Sequence, residues 1–334
     1  MKLPHLEDFR LLLSRALPKS IGSTFTRKAS SRPKPLAARS NDELLSLMRH
    51  EAHRIEKAVY NRILQRKLPE YRAKRERLAE IYRLLSDRSY PGDDPTLLWS
   101  KRIYDAFDHL EQDFIQAESR APGEFNPNDA DQFIEFLRNR RSARVWADEQ
   151  PTEAELVAFA KRMIDAARWA PNSGNRQAWR FLILVRDEEK RLFEKIKEQH
   201  TVSAPLLIFC GMDRRVFGAL GDDERSIFID AGAAIMQMVL LAHHCNLGVC
   251  WNHFARDLIG SRPANQTQYR RFIESMAIPE HIEPIALVAI GRAKFLPPVP
   301  DRMKVDSLLL GEPILSNDDP ADRRADRSKT ALKG

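Results

Sequence analysis

Arg140-Arg141-Ser142-Ala143-Arg144 and, about thirty residues later, Ala170-Pro171-Asn172-Ser173-Gly174-Asn175-Arg176-Gln177-Ala178-Trp179 are the two strings that decide how this chain is read. The first gathers guanidinium forks and a hydroxyl within five residues. A phosphate monoester with a polar tail needs that donor set, because guanidinium binds phosphate through paired charge-assisted hydrogen bonds. The second string leaves a helical pattern at Pro171, which cannot continue the ladder, and bends through Asn, Ser and Gly before an apolar run. Together they frame a pocket for a phosphorylated, flat, hydrogen-bonding molecule.

Around these strings, hydrophobic spacing predicts helices over 129–140, 152–169, 188–199, 226–245 and 266–276. Strands are predicted over 180–185, 205–211, 248–252 and 285–290. That interleaving fits an α/β or an α+β arrangement. Upstream, Leu44, Met48, Ile55, Val59 and Ile63 lie near one helical face, with Asn41 or Asp42 as N-cap. Further helices are expected over 71–85 and 96–117, separated by the Pro/Gly/Asp turn at 89–95. Residues 121–128 read as a linker. The expected organisation is a basic, flexible tail over 1–40, a helical module over 41–120, a main domain over 128–311 and a polar tail over 312–334.

The 334 residues carry a formal charge of +7, and its location matters more than its size. Residues 1–40 hold nine Lys/Arg against two Asp/Glu, so the remainder is balanced at 45 of each. Nucleic-acid or membrane contact is therefore an expectation for the tail alone. Its acid-free stretch over 10–39, rich in Arg, Lys and Ser, overlaps with an organellar transit peptide and equally with a disordered basic arm. Three cysteines without a C-x-x-C pair point to a reducing, cytoplasmic setting. No run approaches about 18 consecutive apolar residues, so no membrane span is expected.

As a pair, the two strings resemble those of the nitroreductase family of flavin enzymes: Arg-x-Ser-x-Arg, then Pro-Ser-x-x-Asn-x-Gln-x-Trp. Asp230-Ala231-Gly232-Ala233-Ala234, Asn246-Leu247-Gly248-Val249-Cys250-Trp251, Pro284 to Gly291 and Arg302-Met303-Lys304 follow in the family's order, so the likeness covers about 131–311. It implies an α+β fold, a nitroreductase-like central mixed, mainly antiparallel sheet flanked by helices, here preceded by an all-helical module. It also implies an FMN-dependent oxidoreductase that takes hydride from NADH or NADPH as co-substrate and passes it to a small organic acceptor (nitro, quinone or similar) by ping-pong kinetics, and a homodimer with FMN at its interface.

By position, Arg140, Ser142 and Arg144 inherit contacts to the FMN phosphate, ribityl chain and pyrimidine edge, with Arg141 beside them. Pro171, Asn172, Ser173 and Asn175 would face the flavin, Gly248 would offer a backbone N–H near its reducible edge, and Arg302 and Lys304 would close on the phosphate. Asn172 stands where Ser is more frequent and Trp146 where Phe or Tyr is usual. No protein nucleophile is implied. Because 213–226 is a short charged stretch where larger relatives place a flap, the module over 41–117 is expected to cover the site. Its string His53-Arg54-Ile55-Glu56-Lys57 is similar to one preceding this domain in family members associated with polysaccharide biosynthesis.

Other constellations read more plainly. His243, His244, Cys245, Cys250 and His253 fit no standard zinc spacing, so no metal is expected. His50, Glu51 and His53 read as a solvated helix face, Cys250 and Trp251 as packing residues. The G-x-G-x-x-G, P-loop and G-x-S-x-G signatures do not occur. The rival functions are a specialised enzyme of this fold, performing dehalogenation, flavin fragmentation or dehydrogenation of a biosynthetic intermediate, and a non-catalytic binding protein using the tail and module.

Overall fold

The computed structural model describes residues 34–109, 123–124, 126–218, 225–254 and 263–310. In chain order the helices are α1 (Asn41–Tyr60), α2 (Leu68–Asp87), α3 (Pro95–Asp105), α4 (Pro127–Asn139), α5 (Glu153–Ala167), α6 (Asp187–Arg191), α7 (Gln199–Val202), α8 (Arg215–Gly218), α9 (Arg225–His244) and α10 (Pro263–Ser275). The strands are β1 (Trp179–Leu184), β2 (Leu206–Asp213), β3 (Gly248–His253) and β4 (Ile282–Gly291). The chain forms two compact units. One joins the N-terminal module to 172–178 and 213–227, and the other takes 121–171, 179–212 and 228 onward.

In the first unit α1 is the hub. Leu44, Met48, Ile55 and Val59 are buried against Tyr71, Leu78, Ile81 and Leu85 of α2 and Leu97 and Ile103 of α3. Ser40, one residue ahead of the expected cap, starts α1: its Oγ accepts from the Glu43 amide at 3.3 Å, and its own amide donates to the Glu43 carboxylate at 2.9 Å. This reciprocal pair satisfies donors that a lone Asn41 or Asp42 side chain would leave open. The helix expected over 96–117 begins at Pro95 behind the Asp94 cap and gives way to a turn after Asp105, and 110–117 lie outside the described residues.

The solvated face expected at His50 and Glu51 is in fact interior, because α1 is covered on several sides at once. His50 is 8% exposed and Glu51 1%. The Glu51 carboxylate is compensated by Arg77 at 3.0 Å and Lys74 at 3.3 Å, which makes its burial tolerable.

The second unit is α+β, with one sheet in the order β1-β2-β4-β3. β1 pairs with β2 and β3 with β4, both antiparallel. The central β2 is buried throughout and β4 nearly so, which is why both read as continuous apolar runs. Phe193, Phe209 and Phe272 fill one side, with ring centroids 4.4 and 5.4 Å apart. The single helix expected over 188–199 is broken into α6 and α7. The Leu192, Phe193, Glu194 and Ile196 amides bond three residues back, a tighter winding that turns Phe193 fully into this core.

α9 is long and apolar enough, by length and composition, to cross a membrane. One side of it, including Ala231, Ile235, Met238 and Ala242, is buried, while Phe228, Ile229 and Met236 are exposed. Cys250 is buried as expected of a packing residue, but its neighbour Trp251 alternates to the other side of β3 and is 36% exposed.

Burial, with the charges of Arg176, Arg54 and Lys74 nearby, pushes the His50 imidazole from 6.5 down to about 3. Between those values the unfolded chain binds a proton that the folded chain refuses, so stability falls as pH drops through this window. Urea unfolding should show wild type losing about 2 kcal/mol more than His50→Asn between pH 7.5 and pH 5. Equal losses in the two proteins would refute a neutral buried His50.

Candidate cofactor-binding site

α4 ends at Asn139, and Arg140 already has extended backbone, φ −69° and ψ 126°. The string then runs beside β3: Ser142 bridges Val249 in parallel, and the Ala143 amide donates to the Val249 carbonyl at 3.0 Å. It continues along the chain after β4, where the Ala147 amide donates to the Arg292 carbonyl and the Lys294 amide to the Val145 carbonyl, both at 2.9 Å. Extended backbone alternates its side chains. Ala143 therefore points into the core while Arg140, Ser142 and Arg144 share the opposite side.

Gly248 makes this close approach possible. A β-carbon there would lie 2.7 Å from the Ala143 Cβ, 2.9 Å from the Ala293 Cβ and 3.2 Å from the Gly291 carbonyl oxygen. The bare side of Gly248 is thus taken up by protein packing, a reason for glycine that the sequence reading did not contain.

Arg140 is half-buried, and its guanidinium is held below its ordinary value by burial and by the charges of Arg141 and Arg302. Arg302, a hundred and more residues downstream, is thereby brought to the first string. Burial raises the Cys250 thiol, against the pull of Arg144 and Arg140, which sets both guanidiniums beside the middle of β3. Among the described residues no carboxylate is paired with Arg140, Arg144 or Arg302. Clustered like charges without a counterion oppose folding and favour an incoming anion. Lys304, two residues on, is exposed, and its carbonyl accepts from the Ser307 amide at the start of a short 3-10 turn.

Arg141 separates from its neighbours. Its guanidinium donates to the Arg138 and Arg140 carbonyls, and it lines a cavity of about 350 Å³ with His243, Gly248, Arg292 and Leu296. Of the cluster once weighed for zinc, His243 sits against the Phe136 carbonyl at 2.9 Å, and the Cys250 Sγ lies 3.7 Å from His200 Nε2.

The second string is organised within the other unit, from Asn172 on, with Pro171 as its lead-in. Gly174, Asn175 and Gln177 all have left-handed backbone, with φ of 62°, 52° and 53°. The Asn172 side chain accepts from the Gln177 amide at 3.0 Å, and the Asn175 side chain accepts from the Gln177 side-chain amide at 3.1 Å. The Asn side chains that were expected to face a ligand thus also tie the bend to itself. Ser173 offers its carbonyl to the Arg176 guanidinium at 2.6 Å. Arg176, which the sequence reading passed over, is 1% exposed. The only signal for it was a lone cation inside an otherwise neutral turn.

The tight fit at Gly248 generates a direct test. Gly248→Ala should lower stability by about 1–3 kcal/mol, as overpacking of a close contact does. Thermal unfolding of the variant would show this as a midpoint several degrees lower, and an unchanged midpoint would show that the first string does not lie so close to β3.

Residues 137–206 match the profile of the nitroreductase family. A protein of Archaeoglobus fulgidus described as an NADH dehydrogenase/NAD(P)H nitroreductase is 26% identical over 168 residues, covering 48% of this chain and 85% of that protein. Among solved structures, one described as a nitroreductase in complex with FMN, from Desulfovibrio desulfuricans, is 25% identical with a TM-score of 0.44, covering 57% of this chain and 100% of the other. A nitroreductase family protein from Streptococcus pneumoniae is 15% identical with a TM-score of 0.44, covering 53% and 98%. The matched segment 137–206 carries both strings, and its similarity is to the nitroreductase family.

Proposed function

We propose that this chain is an FMN-dependent oxidoreductase that draws hydride from NADH or NADPH and delivers it to a small organic acceptor such as a nitro compound or quinone. The observation that carries the reading is the gathering of Arg140 and Arg302 beside β3 with no paired carboxylate among the described residues. The family assignment supports an oxidoreductase in general.

The donor set fits the cofactor. Guanidiniums match the oxygens of a phosphate monoester, Arg140 and Arg302 lie within electrostatic reach of each other, and Ser142 adds a hydroxyl on the extended string. In this proposal Arg140, Arg302 and Lys304 hold the phosphate and Ser142 and Arg144 the polar chain and ring edge; 171–175 are proposed as a flavin-facing segment in their own right. FMN supplies the hydride-accepting and hydride-donating chemistry when bound, and the protein contributes binding, orientation and electrostatics. No side chain need act as a nucleophile. Alternate use of one site by reductant and acceptor corresponds to ping-pong kinetics.

Homodimer formation belongs to the same proposal. Phe133, Ile134 and Leu137 on α4 and Phe228, Ile229 and Met236 on α9 are exposed apolar side chains, the kind of surface that marks protein–protein contact. A cytoplasmic location is likewise proposed, supported by three cysteines that remain free thiols, one of them exposed.

The test is spectroscopic. Purified protein should carry or take up FMN, bleach with NADH or NADPH, and give parallel double-reciprocal plots with a quinone or nitroaromatic acceptor. Arg140→Ala and Arg302→Ala should each weaken FMN binding about tenfold or more, the worth of a hydrogen bond to a charged group. A protein that binds no FMN, or Arg140 and Arg302 variants that bind it as tightly as wild type, would overturn the reading.

A further inference from the structure

The module's first helix holds the second string in an unfavourable conformation. Ser46, Arg49 and His50 fall on one face of α1, at spacings of three and four residues. Ser46 Oγ donates to the Arg176 carbonyl at 3.2 Å, and Arg49 donates to the same oxygen through Nε at 3.2 Å and Nη2 at 2.9 Å. Arg49 Nη1 donates onward to Thr96 Oγ1 at 2.9 Å, tying the contact to the first turn of α3. His50 closes the other side. A β-carbon on Gly174 would lie 2.2 Å from His50 Nδ1, so helix and bend meet with no room for a side chain. Beneath the bend the Arg176 guanidinium lies 5.7 Å from the centroid of the Phe217 ring.

Three of the four residues from Gly174 to Gln177 are left-handed, and two of them carry side chains. Such residues persist only where their surroundings over-determine them. Hydrogen bonds within the bend supply part of that constraint, and three donors on one carbonyl supply the rest. The sequence reading expects the module to cover the site, and its contacts to the bend are those of a clamp.

We infer that Ser46, Arg49 and His50 are positioning residues: α1 fixes the bend over 172–177 in its left-handed form, which makes the helical module a working part of the cofactor site. The inference rests on the reading of 171–175 as a cofactor-binding segment. It assigns the module a task beyond the family's domain.

Hydrogen exchange and FMN titration on the full-length protein test it together. Arg49→Met removes three donors at nearly constant length. Amides of 173–178 should then exchange about tenfold faster or more, those of α2 around Leu78–Leu85 should keep their protection, and the FMN dissociation constant should rise about tenfold. Arg49→Lys, which keeps a donor, should restore part of both effects. If Arg49→Met does not fold, Ser46→Ala removes one donor and should produce smaller shifts in the same amides. Unchanged exchange over 173–178 would overturn the clamp, and faster exchange with unaltered FMN affinity would overturn its role in positioning. Failure of the wild-type protein to bind FMN would overturn the proposed function instead, while exchange over 173–178 would still decide whether α1 holds the bend.

Discussion

The second unit depends on how closely two stretches of backbone can approach at Gly248. With Ala143 on one side, Ala293 on the other and Gly291 opposite, there is no volume for a side chain. That absence lets the Arg140–Arg144 string lie against β3, bridged at Ser142 and Val249 and bonded from the Ala143 amide to the Val249 carbonyl. Once the string is extended, the placement of its charges follows from the alternation of a strand. Ala143 enters the core, Arg140, Ser142 and Arg144 take the other side, and Arg141 lines a separate cavity. A helical continuation of α4 would have scattered these residues around a cylinder. The conversion from helix to strand at Arg140 is therefore the step that turns a charged stretch into a one-sided donor array.

The bend over 172–177 follows a different logic. Its backbone is unfavourable in isolation, and the buried Ser46 and half-buried Arg49 of the helical module donate to it from outside. Arg176 illustrates the cost of this solution. A guanidinium that is 1% exposed must be solvated by protein, and the Ser173 carbonyl and the face of Phe217 do part of that work. A buried cation at this point makes the bend sensitive to everything around it. His50, held neutral at ordinary pH, places its Nδ1 beside Gly174 without adding a second charge.

Much of the architecture was legible because its periodicity is strong. Leu44, Met48, Ile55 and Val59 identify α1, and the apolar runs at 206–213 and 282–291 identify two strands buried on both faces. The failures share a cause: a polar residue was read by its own chemistry when its neighbours in space decided its place. His50 and Glu51 lie on a helix covered from several directions, and Glu51 is interior because Lys74 and Arg77 arrive from α2. The segment after α6 tightens because Phe193 is drawn into the aromatic cluster, a demand invisible in a helical pattern. The site strings were legible through their resemblance, which also ordered Arg302 after Arg140. That Arg302 lies within electrostatic reach of Arg140 is information of the fold.

The charge distribution ties these points together. Beyond residue 40 the chain is balanced, 45 basic against 45 acidic residues. Arg186, Arg215 and Arg77 each have an acidic neighbour. Arg140 instead has Arg141 and Arg302 near it and is partly withdrawn from water, an arrangement that opposes folding twice, by repulsion and by desolvation. A fold that keeps such a cluster in a balanced sequence holds an electrostatic deficit that a bound anion would offset, and the gain is largest for a doubly charged one.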